Sequence, residues 1–300
     1  MATTTITPIT PADYANGAPP AAMNITEKTC CLSLSLGQLG NHKKIPTSSI
    51  EVDSDPDMIG VSKKLLDSKQ LAAIVKHRSE TKAWLMNLAL PSMFRSGIYL
   101  VPIPAIEKVE AKLNDAKTTD DHLVDNFIAA YDECRAVAES RLKANYNPTD
   151  YLASAKAVRA EFSFEWAWIS FSTPGKLKEI SHGFFKAEQE KAAAKWAQAT
   201  EEVRLLLRTN LKDMVDHMCE RLAPEDGGPP KRFQSTTVTK IQEFLENFKL
   251  RDVTDDGQLD QIVGHCKAIL NGVDAESLRK DENVRTYVSR GFGLVKQCLE

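Results

Sequence analysis

This chain of 300 residues is short of the features that usually declare a chemistry. It contains no GxxxxGK[ST], so no Walker A loop cradles a nucleotide's phosphates. GxSxG and GxGxxG are missing too, and Gly291-Phe-Gly293 is too short to stand in for a dinucleotide fingerprint. The six cysteines, Cys30, Cys31, Cys134, Cys219, Cys266 and Cys298, form no CxxC, and are expected to be reduced thiols acting as small buried hydrophobes. No run of about 18 apolar residues exists to cross a membrane as a helix. The N-terminus has neither the basic nor the hydrophobic region of a secretory signal, so a cytoplasmic protein is expected. A net charge of −3 and a pI near 6.1 lower the prior for a dedicated duplex-binding domain.

What the chain does have is length without interruption. From Gly175 to Leu222 there is no proline, and Gly183 is the only internal glycine. A helix over that span would reach ~70 Å, against an ordinary length of roughly 11 residues. Its apolar stripe runs Phe185, Ala192, Trp196, Ala199, Val203, Leu206 or Leu207, Leu211, Met214, Met218 and Leu222. The steps average near 3.6, which predicts a nearly straight helix packed on other helices rather than a tight heptad coil. Leu206, Leu211, Met214 and Met218 are the expected interface, either to the C-terminal helices or to a second subunit.

The remaining chain divides by composition. Residues 1–27 are a polar Thr/Ala/Pro tail expected to be disordered. A body over 28–223 contains three strand signals: Thr29 to Leu36, with leucines alternating with serines, residues 97–103, and residues 162–171. Residues 37–55 read as loop. Pro56 is placed to open a helix to Leu66, and Ser68 to cap one running to Leu88. Pro104 opens a helix to Leu113, Thr119 and Asp120 cap another to Lys143, and a short helix follows near 149–158. The Pro/Gly-rich stretch 224–230 is a linker, and 231–300 is a helical C-terminal module, with helices near 235–249, 256–270, 274–280 and 282–299. The fold class expected is mainly α (α+β): a helical bundle with one very long helix and a small antiparallel sheet.

Several constellations invite a chemical reading. Asp53, Asp55 and Asp57 have the spacing that opens a calcium loop, but the sixth and twelfth positions are Met58 and Lys64 instead of Gly and Glu. His217 with Cys219, and His265 with Cys266, point to different faces of a helix and lack a second ligand pair at zinc spacing. Phe164, Trp166 and Trp168 lie at a spacing of two. They are either a stacking platform for single strands or a core face; the residues between them, Glu165 and Ala167, are not basic, which favours core. No catalytic, cofactor-binding or metal-ligating residue is assigned, and no cofactor is expected.

Cys31-Leu-Ser-Leu-Ser-Leu36, Lys63-Lys-Leu-Leu66, Leu90-Pro91 followed by Gly97-Ile-Tyr-Leu-Val-Pro102, and then Tyr146-Asn-Pro148 before the aromatic strand together resemble a domain-of-unknown-function family carried by phages and plasmids. The resemblance covers roughly 28–225. Where the family often has a Trp before the second strand, this chain has Leu88-Ala-Leu-Pro91. The resemblance implies a MoxR-like AAA ATPase encoded nearby as partner, and carries no catalytic residues. The expectation is a non-enzymatic phage interaction or assembly protein that self-associates. The alternative is a nucleic-acid-binding accessory factor in recombination or replication.

Overall fold

The computed structural model describes residues 25–47, 53, 55, 58–91, 95–170, 173–222 and 235–299. Most of the sequence-predicted linker and tail lie outside them. Along the chain come α1 (Ile25–Lys28), β1 (Thr29–Gly37), β2 (His42–Ile45), β3 (Val61–Lys64), α2 (Lys69–Leu88), β4 (Leu90–Pro91), β5 (Ile98–Pro102), α3 (Ile106–Ala129), α4 (Tyr131–Leu142), α5 (Ala155–Ala160) and β6 (Ser163–Ile169). The long segment follows as α6 (Leu177–Ile180) and α7 (His182–Leu222), then α8 (Ser235–Arg251), α9 (Gly257–Ile269), α10 (Ala275–Lys280) and α11 (Glu282–Leu299). The protein is mainly helical with a little antiparallel sheet, as its hydrophobic periods dictate.

Contacts divide the chain into two units: residues 1–31, 87–105 and 169–300 in the first, 32–86 and 106–168 in the second. The C-terminal helices therefore share a unit with α7 instead of forming a separate module. Ile25, inside the stretch expected to be a tail, is 1% exposed.

In the first unit, the distal half of α7 supplies the core. Ala199, Val203, Leu207, Leu211, Val215, Met218 and Leu222 are buried, in steps of three or four that keep one face of the helix inward. They meet Phe248, Ile262 and Phe292 of α8, α9 and α11 in one apolar cluster. The caps of the C-terminal helices are local. Asp256 accepts the Leu259 amide at 3.1 Å, and Asp274 forms a reciprocal capping box with Ser277. The hairpin β4–β5 also belongs to this unit, with Leu90 opposite Leu100.

The long helix is not continuous from Gly175. Ser181 is extended (φ −160°, ψ 121°), closes α6, and accepts the Phe184 amide at 3.3 Å as the cap of α7. A serine followed by histidine and glycine breaks the helix where periodicity alone runs through it. The 41 residues of α7 still span roughly 60 Å.

The second unit corrects three expectations. Residues 42–45, expected as loop, and 61–64, expected as helix, are the strands β2 and β3, paired antiparallel with His42 opposite Lys64 and Ile45 opposite Val61. Thr119 and Asp120 do not cap a helix: α3 runs straight through them. The Thr118 and Thr119 hydroxyls donate back to the carbonyls of Asn114 and Asp115 at 3.1 Å, leaving the helix unbroken. The Asp120 carboxylate is taken by Arg78 of α2 instead, Nε to Oδ1 at 2.6 Å and Nη2 to Oδ2 at 2.7 Å, with both side chains at most 4% exposed. Arg78 also donates to the Gly37 carbonyl at 2.6 Å and lies over the Phe162 ring. This one guanidinium ties α2 to α3 and to β1, the neighbour of β6. Ser68 caps α2 as expected, accepting the Leu71 amide at 3.2 Å.

Candidate functional site

Three places stand out, the first two built on residues that sequence singles out, beginning with α7. Its two halves differ sharply. Leu211 and Met218 are fully buried against the unit's own helices, and Leu206 and Met214 are half-buried at the edge of the same cluster. The expected interface is therefore spent within the chain, on the first of its two alternatives, the C-terminal helices. From His182 to Gln198 the opposite holds. No residue there is buried, and only Phe185, Glu188, Ala192 and Trp196 are half-covered. Ile180 (77% exposed) and Phe184 (51%) stand in solvent at its start. The apolar stripe thus continues where intrachain cover thins to a cleft, in which Gln189, Ala192 and Trp196 face Thr26, Cys30 and Ile169.

The second place is the aromatic strand. Phe164 is 3% exposed and meets Trp166 edge to face at 6.0 Å. Both indoles, Trp166 and Trp168, donate to one Glu110 oxygen of α3 at 3.0 Å. Phe162, on the same face, packs edge-on against Phe127 at 5.7 Å. A ring face whose polar edges are already bonded to the unit's own carboxylate acts as a packing face, and Phe164, Trp166 and Trp168 are covered or tethered accordingly. The spacing of two is visible in sequence. The tether is not, because Glu110 lies more than fifty residues away.

The third place is not legible in sequence. The register of β2 and β3 sets Lys43 directly opposite Lys63 and His42 opposite Lys64. Like charges facing each other destabilise a ribbon unless something neutralises them. Asp150, in the turn after Tyr146-Asn-Pro148, does so. It bonds Lys43 at 2.5 Å and Lys63 at 2.6 Å, and Lys63 also donates to the Asn145 carbonyl at 2.5 Å. Those lysine bonds hold the Asp150 carboxyl below its ordinary range. Next to it, Asp67 bonds Lys64 at 2.7 Å and Arg141 of α4 at 2.6 Å, which pulls its carboxyl down to about 2. Lys64, Leu65, Asp67, Val137, Arg141 and Leu142 line a cleft of about 320 Å³. Around it Tyr131 and Tyr151 are anchored, Tyr151 donating to the Leu65 carbonyl at 3.0 Å and Tyr131 accepting the Leu152 amide at 3.0 Å. Burial raises both phenols. Arg135 stacks over both rings.

Of the cysteines, Cys31 and Cys266 are buried and Cys30, Cys134, Cys219 and Cys298 are half-buried. All six are free thiols. Burial pushes Cys31 up to about 11 and Cys266 up to about 12, so both are neutral packing groups. The candidate calcium loop falls largely outside the described residues, and Met58 within it is exposed.

The fold and these sites define a mainly α protein with a small antiparallel sheet and one long helix that is half core and half exposed. Residues 26–223 match the family described as "Protein of unknown function (DUF3150)", and the chain belongs to that family. No curated protein and no solved structure matches it. The matched segment ends one residue past α7, although the helices after it complete the core that α7 begins. Among the described residues no helix is long and apolar enough to cross a membrane.

Proposed function

We propose that this protein is a non-enzymatic interaction and assembly protein that self-associates through the proximal half of α7. The observation that carries the reading is the stretch His182–Gln198, which has no buried residue and is entered by the exposed Ile180 and Phe184. A helix is stable in water chiefly when one face is packed, so an uncovered continuation of a core stripe calls for a partner.

A second copy fits that face. Phe185, Glu188, Ala192 and Lys195 lie on one side of the helix, three or four residues apart. Two antiparallel copies crossing between Lys191 and Ala192 set Glu188 of each against Lys195 of the other, a self-complementary arrangement of the kind a two-fold dimer requires. Ala192, beside the crossing point, lets the backbones approach closely. The expected interface moves from Leu206, Leu211, Met214 and Met218 to this proximal face, because Leu211 and Met218 have no free surface to offer.

Phage or plasmid carriage and a MoxR-like AAA ATPase as partner belong to this reading through the family resemblance. The exposed start of α7 offers such a machine a graspable element. Light scattering of the purified chain at micromolar concentration tests self-association. A dimer or larger assembly is expected, and a compact monomer overturns the reading.

A further inference from the structure

We propose that the cleft between β3 and α4, together with the basic ribbon β2–β3, binds the backbone of a single-stranded nucleic acid. This is a surface separate from the exposed half of α7 and does not rest on self-association.

The argument starts from charge. Lys43, Lys63, Lys64 and Arg141 converge on two carboxylates, Asp67 and Asp150. The cluster therefore carries a surplus of two positive charges in a chain whose net charge is −3. Its members divide by burial. The Lys63 side chain is 7% exposed and is held by Asp150 and the Asn145 carbonyl, so it serves the fold. Lys43 (53%), Lys64 (52%) and Arg141 (63%) keep their heads in solvent.

Shape selects among anions. The rim is basic, while the wall beneath it is Leu65, Val137, Ala138 and Leu142, with Val137 44% exposed. A nucleotide unit presents that combination in reverse, a charged phosphate beside a flat, largely apolar base. Basic grooves that track a backbone are the usual route to sequence-tolerant single-strand binding. An acidic peptide satisfies the rim and leaves the wall bare, and a lipid surface is too flat to enter a recess of this kind. Asp67 sits between Lys64 and Arg141 and occupies both cations while the site is empty, so an incoming phosphate must displace it.

The test is fluorescence anisotropy of a labelled single-stranded oligonucleotide with the full chain at low salt. Binding is expected to weaken linearly on a log–log plot against salt. K64E with R141E is expected to abolish most of it and to reduce the slope by about 1.4, at about 0.7 for each of two phosphates no longer neutralised. D67N removes the internal competitor and is expected to tighten binding. W166F with W168F is expected to leave it unchanged, which separates this cleft from an aromatic platform. Circular dichroism of each variant verifies that these exposed positions leave the fold intact. No binding at low salt, binding indifferent to the double reversal, or binding to phosphatidylserine vesicles but not to the oligonucleotide overturns the proposal.

Discussion

Removing one partner of the Arg78–Asp120 pair is expected to cost far more than removing both. Asp120→Ala takes two short bonds, 2.6 and 2.7 Å, from a guanidinium that is 4% exposed. What remains to it is one neutral carbonyl, Gly37 at 2.6 Å, and the Phe162 ring. An uncompensated buried charge of this kind costs about 3–5 kcal/mol. Replacing both residues with apolar groups of similar volume, Arg78→Met with Asp120→Leu, removes the charge together with its partner. The double variant is expected to fall within about 1–2 kcal/mol of the parent. The assay is urea denaturation read by tryptophan fluorescence in a Trp196→Phe background. That leaves Trp84, Trp166 and Trp168, all in the second unit, as the only reporters. A probe confined to one unit matters because a chain of two units need not unfold in a single step. With a slope near 3 kcal/mol/M, a loss of 4 kcal/mol moves the midpoint by about 1.3 M. A single substitution costing under about 1 kcal/mol, or a double variant as unstable as the sum of the two singles, refutes the account of this pair as the joint between α2 and α3.

Further outcomes follow from burial, space and charge. Leu211→Ala is expected to destabilise by about 2–5 kcal/mol, because the side chain is fully buried, while Leu205→Ala, 65% exposed one helix face away, stays within about 0.5 kcal/mol; thermal or urea melts compare them. On α11 a Cβ at Gly291 meets Ile269 side-chain carbons at 2.9 Å, whereas one at Gly293 meets nothing within 4 Å. Gly291→Ala is therefore expected to lower the melting temperature through overpacking, and Gly293→Ala to raise it by helix propensity, about 1 kcal/mol in favour. Asp67, pulled from 3.8 to about 2 by Lys64 and Arg141, has a folded value below its unfolded one. Its contribution to stability is present above pH 4 and is lost as pH falls from about 4 to 2; a carboxyl NMR titration reads the shift, and Lys64→Ala moves it back up.

How much of this is legible in the sequence depends on how local the cause is. The C-terminal helices are visible because Asp256 and Asp274 cap them within their own first turns and their apolar spacing is regular. The same holds for α2, which starts at Ser68. The ribbon β2–β3 is invisible: four residues each, rich in lysine, with no alternation, and held by Asp150, which is more than eighty residues away from either strand. The cap expected within α3 misleads because Thr119 is a cap former that here bonds backward along the helix, and Asp120 is taken by Arg78. For the candidate site, the spacing along α7 is enough to reveal an apolar stripe. Which half of it is covered depends on where α8 to α11 pack, and hydrophobic period carries no record of that. The aromatic strand is readable as a face, and Glu110 decides that it packs inward.

The central claim, that the proximal half of α7 is where two copies meet, is tested most directly by site-specific photo-crosslinking. Benzoylphenylalanine replaces Gln189 on the uncovered half or, as a control, Thr209 on the solvent side of the covered half; both positions are exposed. The account predicts a covalent dimer from position 189, with the crosslinked peptide near Lys195 of the second copy, and none from position 209. Crosslinking absent from position 189, or equally strong from both positions, contradicts it.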